Sequence, residues 1–405
     1  MSKNVFADVA MVSTNEKWKD AVKRELEIYR KTDDIRSEFA RDYTRILHCN
    51  AYRRLKHKTQ VFFATQNDHV CTRIEHVNHV ASVSQTISQY LGLNVELTSA
   101  IAIGHDLGHA PFGHAGESVI KEITRKYVDD NFWHERNSLR FVDLIETLLD
   151  NEGKQSNLNL TYAVRDGIIS HCGEVDENGL RPRDKAIRLE MIDKANQYSP
   201  YTWEGCIVKI ADKVAYLGRD IEDALLLGIL THSQLKKLKE IAGTRIKEIN
   251  NTVIMHDFII NLCSSSSPEE GICFSREHFE LINKIKMFNY ETIYHHPRIE
   301  NYKKYVKLVI MTIFESLHDC YRGENETFQL IESNAKFYPE LSKYFKGWLC
   351  KYALSSSNRN ECSSMGNLVV YDLQSQQSYN QAIIDFITGM SDQFAIKVFN
   401  ELTRF

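Results

Sequence analysis

The stretch His105-Asp106-Leu-Gly-His109-Ala-Pro-Phe-Gly-His114-Ala-Gly-Glu117 decides how this chain reads. It places three histidines and two carboxylates within thirteen residues, spaced by three glycines and a proline. Adjacent His105 and Asp106 can reach one divalent cation, the first through an imidazole nitrogen and the second through a carboxylate oxygen. Such a mixed set suits Mn, Fe, Zn or Mg better than a metal that prefers thiolates. Gly108, Gly113 and Gly116 allow tight bends, and Pro111 is expected to stop the preceding helix. The expected local structure is a helix ending at a metal, then a rigid loop carrying more histidines. A purely structural loop rarely needs three imidazoles.

Working outward, residues 72–91 and 95–106 read as helices, the first carrying His76 at its centre and the second ending at the metal. Residues 117–128 and 134–150 continue the helical pattern, 151–159 are polar and turn-rich, and 160–171 form a short helix ending near His171. Residues 172–200 read as a long surface loop, of the kind used as lids or binding loops. The strongest helix signal is 201–230, where Ile207, Ile210, Val214, Leu217 and Ile221 make an apolar face. Asp212, Tyr216 and Asp220 lie four apart and form a polar stripe, which faces solvent or lines a cavity. One His-Asp pair cannot complete a metal shell. His76 and Asp212 are the further candidates, each weak alone but stronger in the order His…His-Asp…Asp on separate helices.

Toward the N-terminus, residues 14–48 read as one or two amphipathic helices with a stripe of Trp18, Val22, Leu26 and Tyr29. Arg53, Arg54, Lys56 and Lys58 then bring four positive charges into six residues. Such a run is usually a solvated face, but its place just before the metal region makes a phosphate role plausible. Toward the C-terminus, residues 233–262, 275–320 and 326–352 read as helices, 354–366 as a loop, 369–371 as a short strand, and 378–403 as a helix pair around Gly389. No repeats or clear linker occur. The chain reads as mainly α, in three parts: N-terminal helices (1–60), a metal-binding core (61–230) and a C-terminal helical region packed on it (231–405).

Bulk composition is that of an ordinary globular protein, with 405 residues, 43% hydrophobic and 26% charged. A net charge of −4 gives no global attraction to nucleic acid or anionic membrane, so an anionic substrate needs a local basic cluster. There is no run of eighteen apolar residues and no signal-peptide core at Met1-Ser-Lys-Asn. Nine scattered cysteines without a Cys-x-x-Cys pair fit reduced thiols, and with them a cytoplasmic setting without membrane partners.

Several stretches together resemble one family. They are Arg53-Arg54-Leu-x-x-Lys58-Thr-Gln60-Val-Phe, Thr72-Arg73-Ile-x-His76, the His105–Glu117 run, Asn157-Leu-Asn-Leu-Thr, Ala211-Asp212-x-x-Ala-Tyr216 and Thr388-Gly-Met-Ser-Asp392. The chain is similar to the HD superfamily of metal-dependent phosphohydrolases. Within it, the chain resembles the deoxyguanosine triphosphate triphosphohydrolase-like proteins, and the resemblance spans nearly the whole chain. It implies an all-α helical bundle with one central metal and additional C-terminal helices. It implies hydrolysis of a dNTP, dGTP first among them, at the α-phosphorus to give deoxynucleoside and triphosphate. It implies metal ligands His76, His105, Asp106 and Asp212, and one divalent ion, Mn²⁺ or Mg²⁺, with Fe, Ni and Zn left open. A histidine–acid relay would fall on His109, Glu117 and His134, with His114 facing phosphate as a second candidate proton donor. Arg73 and Lys213 would contact phosphates, with Arg53 in the basic run beside them. Gln60, Tyr216 and Asp220 would surround the sugar 3′-hydroxyl. A homo-oligomer is expected by the same resemblance. Glu135 stands where many bacterial members have Asn, although the members with SAM and HD domains also have Glu there, and Glu117 is one carbon longer than the Asp those members carry; both changes keep the chemistry.

Two other readings compete. One is a different phosphohydrolase of the superfamily, such as a 5′-nucleotidase, against which the set Gln60, Tyr216 and Asp220 argues. The other is a nucleotide- or single-stranded nucleic-acid-binding protein with a structural metal, whose footprint would be Arg53–Lys58.

Overall fold

The computed structural model describes residues 3–27, 33–63, 67, 69–150, 153–172, 177–243, 251–353 and 366–404. The described chain is mainly α-helical, with one two-stranded antiparallel hairpin, Thr147–Leu149 against Gln155–Asn157. It forms two compact units, each assembled from separate segments: residues 1–47, 60–106 and 159–300, and residues 48–59, 107–158 and 301–405.

In the first unit the Arg73–Leu91 helix packs on Val95–Gly104 and on Trp203–Leu226, and Tyr162–Ser170 packs on the latter two. Val95–Gly104 is buried from Leu97 to its end, as expected for a helix apolar on every side. The ends are fixed locally. The Thr72 N–H donates to the Glu75 carboxylate (2.7 Å), and Gly92, at φ +85°, closes the first helix. Asn94 accepts from the amides of Glu96 and Leu97, and Thr202 from that of Gly205. In the second unit Gly113–Tyr127 packs on Gln376–Thr388, and Pro339–Tyr352 packs on Glu324–Asn334, Gln376–Thr388 and Asp392–Thr403.

The helices at 72–91, 95–106, 160–171 and 201–230 and the pair flanking Gly389 lie where periodicity puts them. Other elements differ, each for an identifiable reason. The Val95–Gly104 helix ends before Pro111 can stop it, and the next helix starts at Gly113, four residues earlier than expected. Among the described residues of 14–48, only Trp18–Ala21 and Glu38–His48 are helical. There the Lys23 carbonyl accepts from the Tyr162 amide instead of one four residues on, and Arg24 ion-pairs with Asp42. Leu26 is exposed, and Tyr29 lies outside the described residues. The 134–150 helix stops at Arg140, widens into a π turn over Phe141–Ile145 and becomes the first hairpin strand. Pro297 and Pro339 each start a new helix, so 275–320 and 326–352 are both broken in two. Gly243, at φ +63°, ends the His232–Ala242 helix, and a second helix is Asn251–Ser265. Among the described residues, 369–371 form no strand: the Val370 and Tyr371 amides donate to the Tyr352 carbonyl, and Tyr371 makes one parallel bridge to Ala353. The loop expected at 354–366 lies, but for Gly366, outside the described residues.

Candidate active site

The Val95–Gly104 helix delivers His105 as its C-cap, with Asp106 next in the chain. The His105 Nδ1 lies 2.6 Å from the Ala102 carbonyl, so it donates there and leaves Nε2 as the lone-pair atom. That Nε2 is buried with no hydrogen-bond partner among the described residues. His76, in the first turn of its helix and not at its centre as expected, brings Nε2 to 3.0 Å from the Asp212 carboxylate, and the same oxygen is 3.9 Å from His105 Nε2. The ligand atoms of His76, His105 and Asp212 thus form one close set, all within 4.8 Å of one another. Asp106 falls in a second set with His105 and His171.

The electrostatics favour a cation. Burial pushes the His105 imidazole down to about 4, so it is neutral and available to a metal. Burial would raise the Asp212 carboxyl, but the hydrogen bond from His76 and the nearby rings of His76, His105 and His171 outweigh it and hold it at about 2. An orphaned buried imidazole nitrogen facing an ionised carboxylate fits a divalent ion with N/O preference.

Arg73, fully buried, hydrogen-bonds Asp106 rather than pointing into open space. Asp212, Tyr216 and Asp220 turn inward: the first two are half-buried and the third buried. Asp220 accepts a hydrogen bond from Tyr294, which lies in the π turn Tyr290–Tyr294. Lys213 is buried with its Nζ 3.4 Å from Asn283 Oδ1. Gln60 presents a buried Oε1 with no partner among the described residues.

In the second unit, Glu117 is the hub. Its Oε2 lies 3.2 Å from His134 Nδ1, 3.7 Å from His114 Nδ1 and 4.0 Å from His109 Nε2, and its Oε1 lies 2.9 Å from Lys121. His109 and His134 stack at 4.4 Å, while His114 is exposed over 63% of its side chain. Burial would raise the Glu117 carboxyl, yet the His134, His114 and His109 rings together hold it well below the ordinary carboxylate range. A carboxylate so held fixes its imidazole partners in orientation and protonation.

The loop carrying His109 is held from far along the chain. Lys58 is buried and donates to the carbonyls of His109 (2.6 Å) and Thr388 (2.8 Å). Asp392 accepts from the Phe112 amide (2.8 Å) through one oxygen, and from the Thr59 amide (3.0 Å) and hydroxyl (2.7 Å) through the other. Phe112 is left-handed, at φ +67°, a strained backbone for a bulky residue that this bond helps hold. A Cβ on Gly108 would lie 2.2 Å from the Ser138 amide, and one on Gly116 would lie 1.8 Å from the Pro111 carbonyl. Asp392→Asn is expected to put an amide NH₂ against N–H donors and to cost about 1.5–3 kcal/mol, readable as a lowered Tm.

The basic run is not one surface. Arg54 pairs with Glu146 at 2.7 Å and Lys58 is spent on carbonyls, leaving Arg53 and Lys56 exposed. Residues missed from sequence are His171, Lys121, Tyr294 and Asn283. Lys121 was readable as a partner four residues on from Glu117; the others carry no local signal.

The HD domain model matches residues 73–217. A deoxyguanosinetriphosphate triphosphohydrolase-like protein of Desulfatibacillum aliphaticivorans is 36% identical over 80% of this chain and 85% of its own length. Its namesake from Caldanaerobacter subterraneus is 35% identical over 79% and 84%. The chain belongs to the deoxyguanosinetriphosphate triphosphohydrolase-like family. A third relative of that name, from Rickettsia felis, is 29% identical over 91% of this chain and 92% of its own. As an HD-domain member of this family the chain is a metal-dependent phosphohydrolase, and the His/Asp sets supply donors for the metal. No helix among the described residues is long and apolar enough to cross a membrane.

Proposed function

We propose that the chain hydrolyses a 2′-deoxynucleoside triphosphate, dGTP first, at the α-phosphorus. A water oxygen bonds to that phosphorus, the bond to O5′ breaks, triphosphate leaves intact and the nucleoside oxygen takes a proton. The observation that carries this reading is the pairing of two features in one chain: buried N/O donors for a divalent ion, and imidazoles gathered on an ionised carboxylate.

His76, His105, Asp106 and Asp212 would hold the ion, Mn²⁺ or Mg²⁺. When bound, it would lower the pKa of water from about 15.7 toward about 7 and withdraw charge from phosphate oxygens. Arg73 orients Asp106, and Lys213 offers a positive charge to phosphate. His134 donates through Nδ1 to Glu117, which leaves Nε2 to carry the proton that O5′ requires. His109, stacked on it, shares that role, and His114 faces phosphate. Gln60 Oε1 accepts from the sugar 3′-hydroxyl, and Asp220, which accepts from Tyr294, stands with it at the sugar. Tyr216 walls off the 2′ position.

Chromatography of products after incubation with each dNTP and Mn²⁺ or Mg²⁺ tests the reaction. Triphosphate plus deoxynucleoside is expected; inorganic phosphate instead would mark a different phosphohydrolase. Tyr216→Ala is expected to lower the kcat/KM ratio of dGTP over GTP by up to about 10²-fold, the scale on which sterics reject a hydroxyl. An unchanged ratio would remove Tyr216 from the sugar wall.

A further inference from the structure

His171 and His105 are held alike. Each is the C-cap of its helix, each is 1% exposed, and each has Nδ1 2.6 Å from the carbonyl oxygen three residues back, Ile168 for one and Ala102 for the other. Donation from Nδ1 to a backbone carbonyl fixes the tautomer with the lone pair on Nε2, the arrangement usual for a metal-ligating imidazole. The two rings meet edge to face at 4.9 Å. The ligand atoms of His171, His105 and Asp106 all lie within 4.8 Å of one another. Metal–donor bonds near 2.1 Å place opposite donors about 4.2 Å apart, so only a small closing movement separates this set from a coordination shell.

We propose that His171 is a third imidazole ligand of the divalent ion, joining His76, His105, Asp106 and Asp212. This rests on the metal reading given above and extends it to the choice of metal. Three nitrogens and two carboxylates favour Mn²⁺ or Fe²⁺ over Mg²⁺, which prefers oxygen and retains its waters.

The test is pulsed EPR on the full chain loaded with Mn²⁺, counting coupled imidazole nitrogens, with Mn²⁺ affinity measured by titration. Three coupled imidazoles are expected in the wild type and two in His171→Ala, with affinity lowered more than about 10-fold. His171→Phe, which keeps a ring in the site, should match His171→Ala in both readings. Two coupled imidazoles in the wild type overturn the proposal and leave the metal reading standing. Unchanged coupling and affinity in either variant do the same. A wild-type chain that binds no Mn²⁺ overturns both. If neither variant folds, the wild-type count decides alone.

Discussion

Asp212→Ala is expected to yield a folded chain that holds no metal and turns over no dNTP. The Asp212 carboxylate sits against His76 at 3.0 Å and within 3.9 Å of His105 Nε2, so its removal takes the shared anionic donor from the closest ligand set. Held at about 2, this carboxyl is ionised throughout the range in which an imidazole ligand is neutral, and no neutral side chain replaces that charge. Because changing a residue that merely supports a ligand costs 10–100-fold in metal affinity, losing a ligand should cost more than about 100-fold. Elemental analysis of the purified variant, its helical CD spectrum and a dNTP assay check the three parts. Asp106→Ala should behave alike, and would also leave the buried Arg73 guanidinium without this carboxylate, so a lower Tm is expected there. Full activity in either variant shown to be metal-free would sink the proposed mechanism.

The second large effect is expected at the relay. The 5′-alkoxide leaves poorly without a proton, so His134→Ala and His109→Ala should each lower kcat by about 10²–10⁴-fold with metal content retained and KM little changed. The two rings stack at 4.4 Å over one carboxylate oxygen, and the double variant should therefore fall far short of the product of the single effects. The pH profile gives the sign. A general acid must be protonated to act, so the wild-type rate falls as pH rises through the imidazole pKa, and this alkaline limb disappears with the residue that supplies it. Glu117, held well below the ordinary carboxylate range, stays ionised across that window and contributes no limb of its own. His114→Ala should instead weaken binding of a non-hydrolysable dNTP. Near-normal kcat across pH in both relay variants would remove the relay and leave the chemistry to the metal alone.

What could be read from the residues were features with a short period or a short span. The mainly helical class follows from 3.6-residue periodicity, and the Trp203–Leu226 helix with Asp212, Tyr216 and Asp220 on one face follows from spacing by four, although spacing left open whether that face meets solvent or a cavity. The His105–Glu117 run was legible because its imidazoles, carboxylates and glycines all fall within thirteen residues. Element ends were less legible where a distant group competes for a backbone carbonyl, as Tyr162 does for that of Lys23. They were also missed where Pro297 and Pro339 restart a helix inside an otherwise continuous apolar pattern.

Only the tertiary structure decided which polar residues meet. His171 looks like an unremarked helix end until it is found beside His105 and Asp106, because no sequence period links positions 105 and 171. Tyr294 reaches Asp220 across 74 residues, and Asp392 reaches the Phe112 amide across 280. Lys58 belongs to a basic run by composition, yet burial turns it from a phosphate candidate into a double donor to backbone carbonyls. The physical reason is common to all four. A buried polar atom is satisfied by whichever partner the packing brings within about 3 Å, and that choice is made by the folded chain and not by neighbours in sequence.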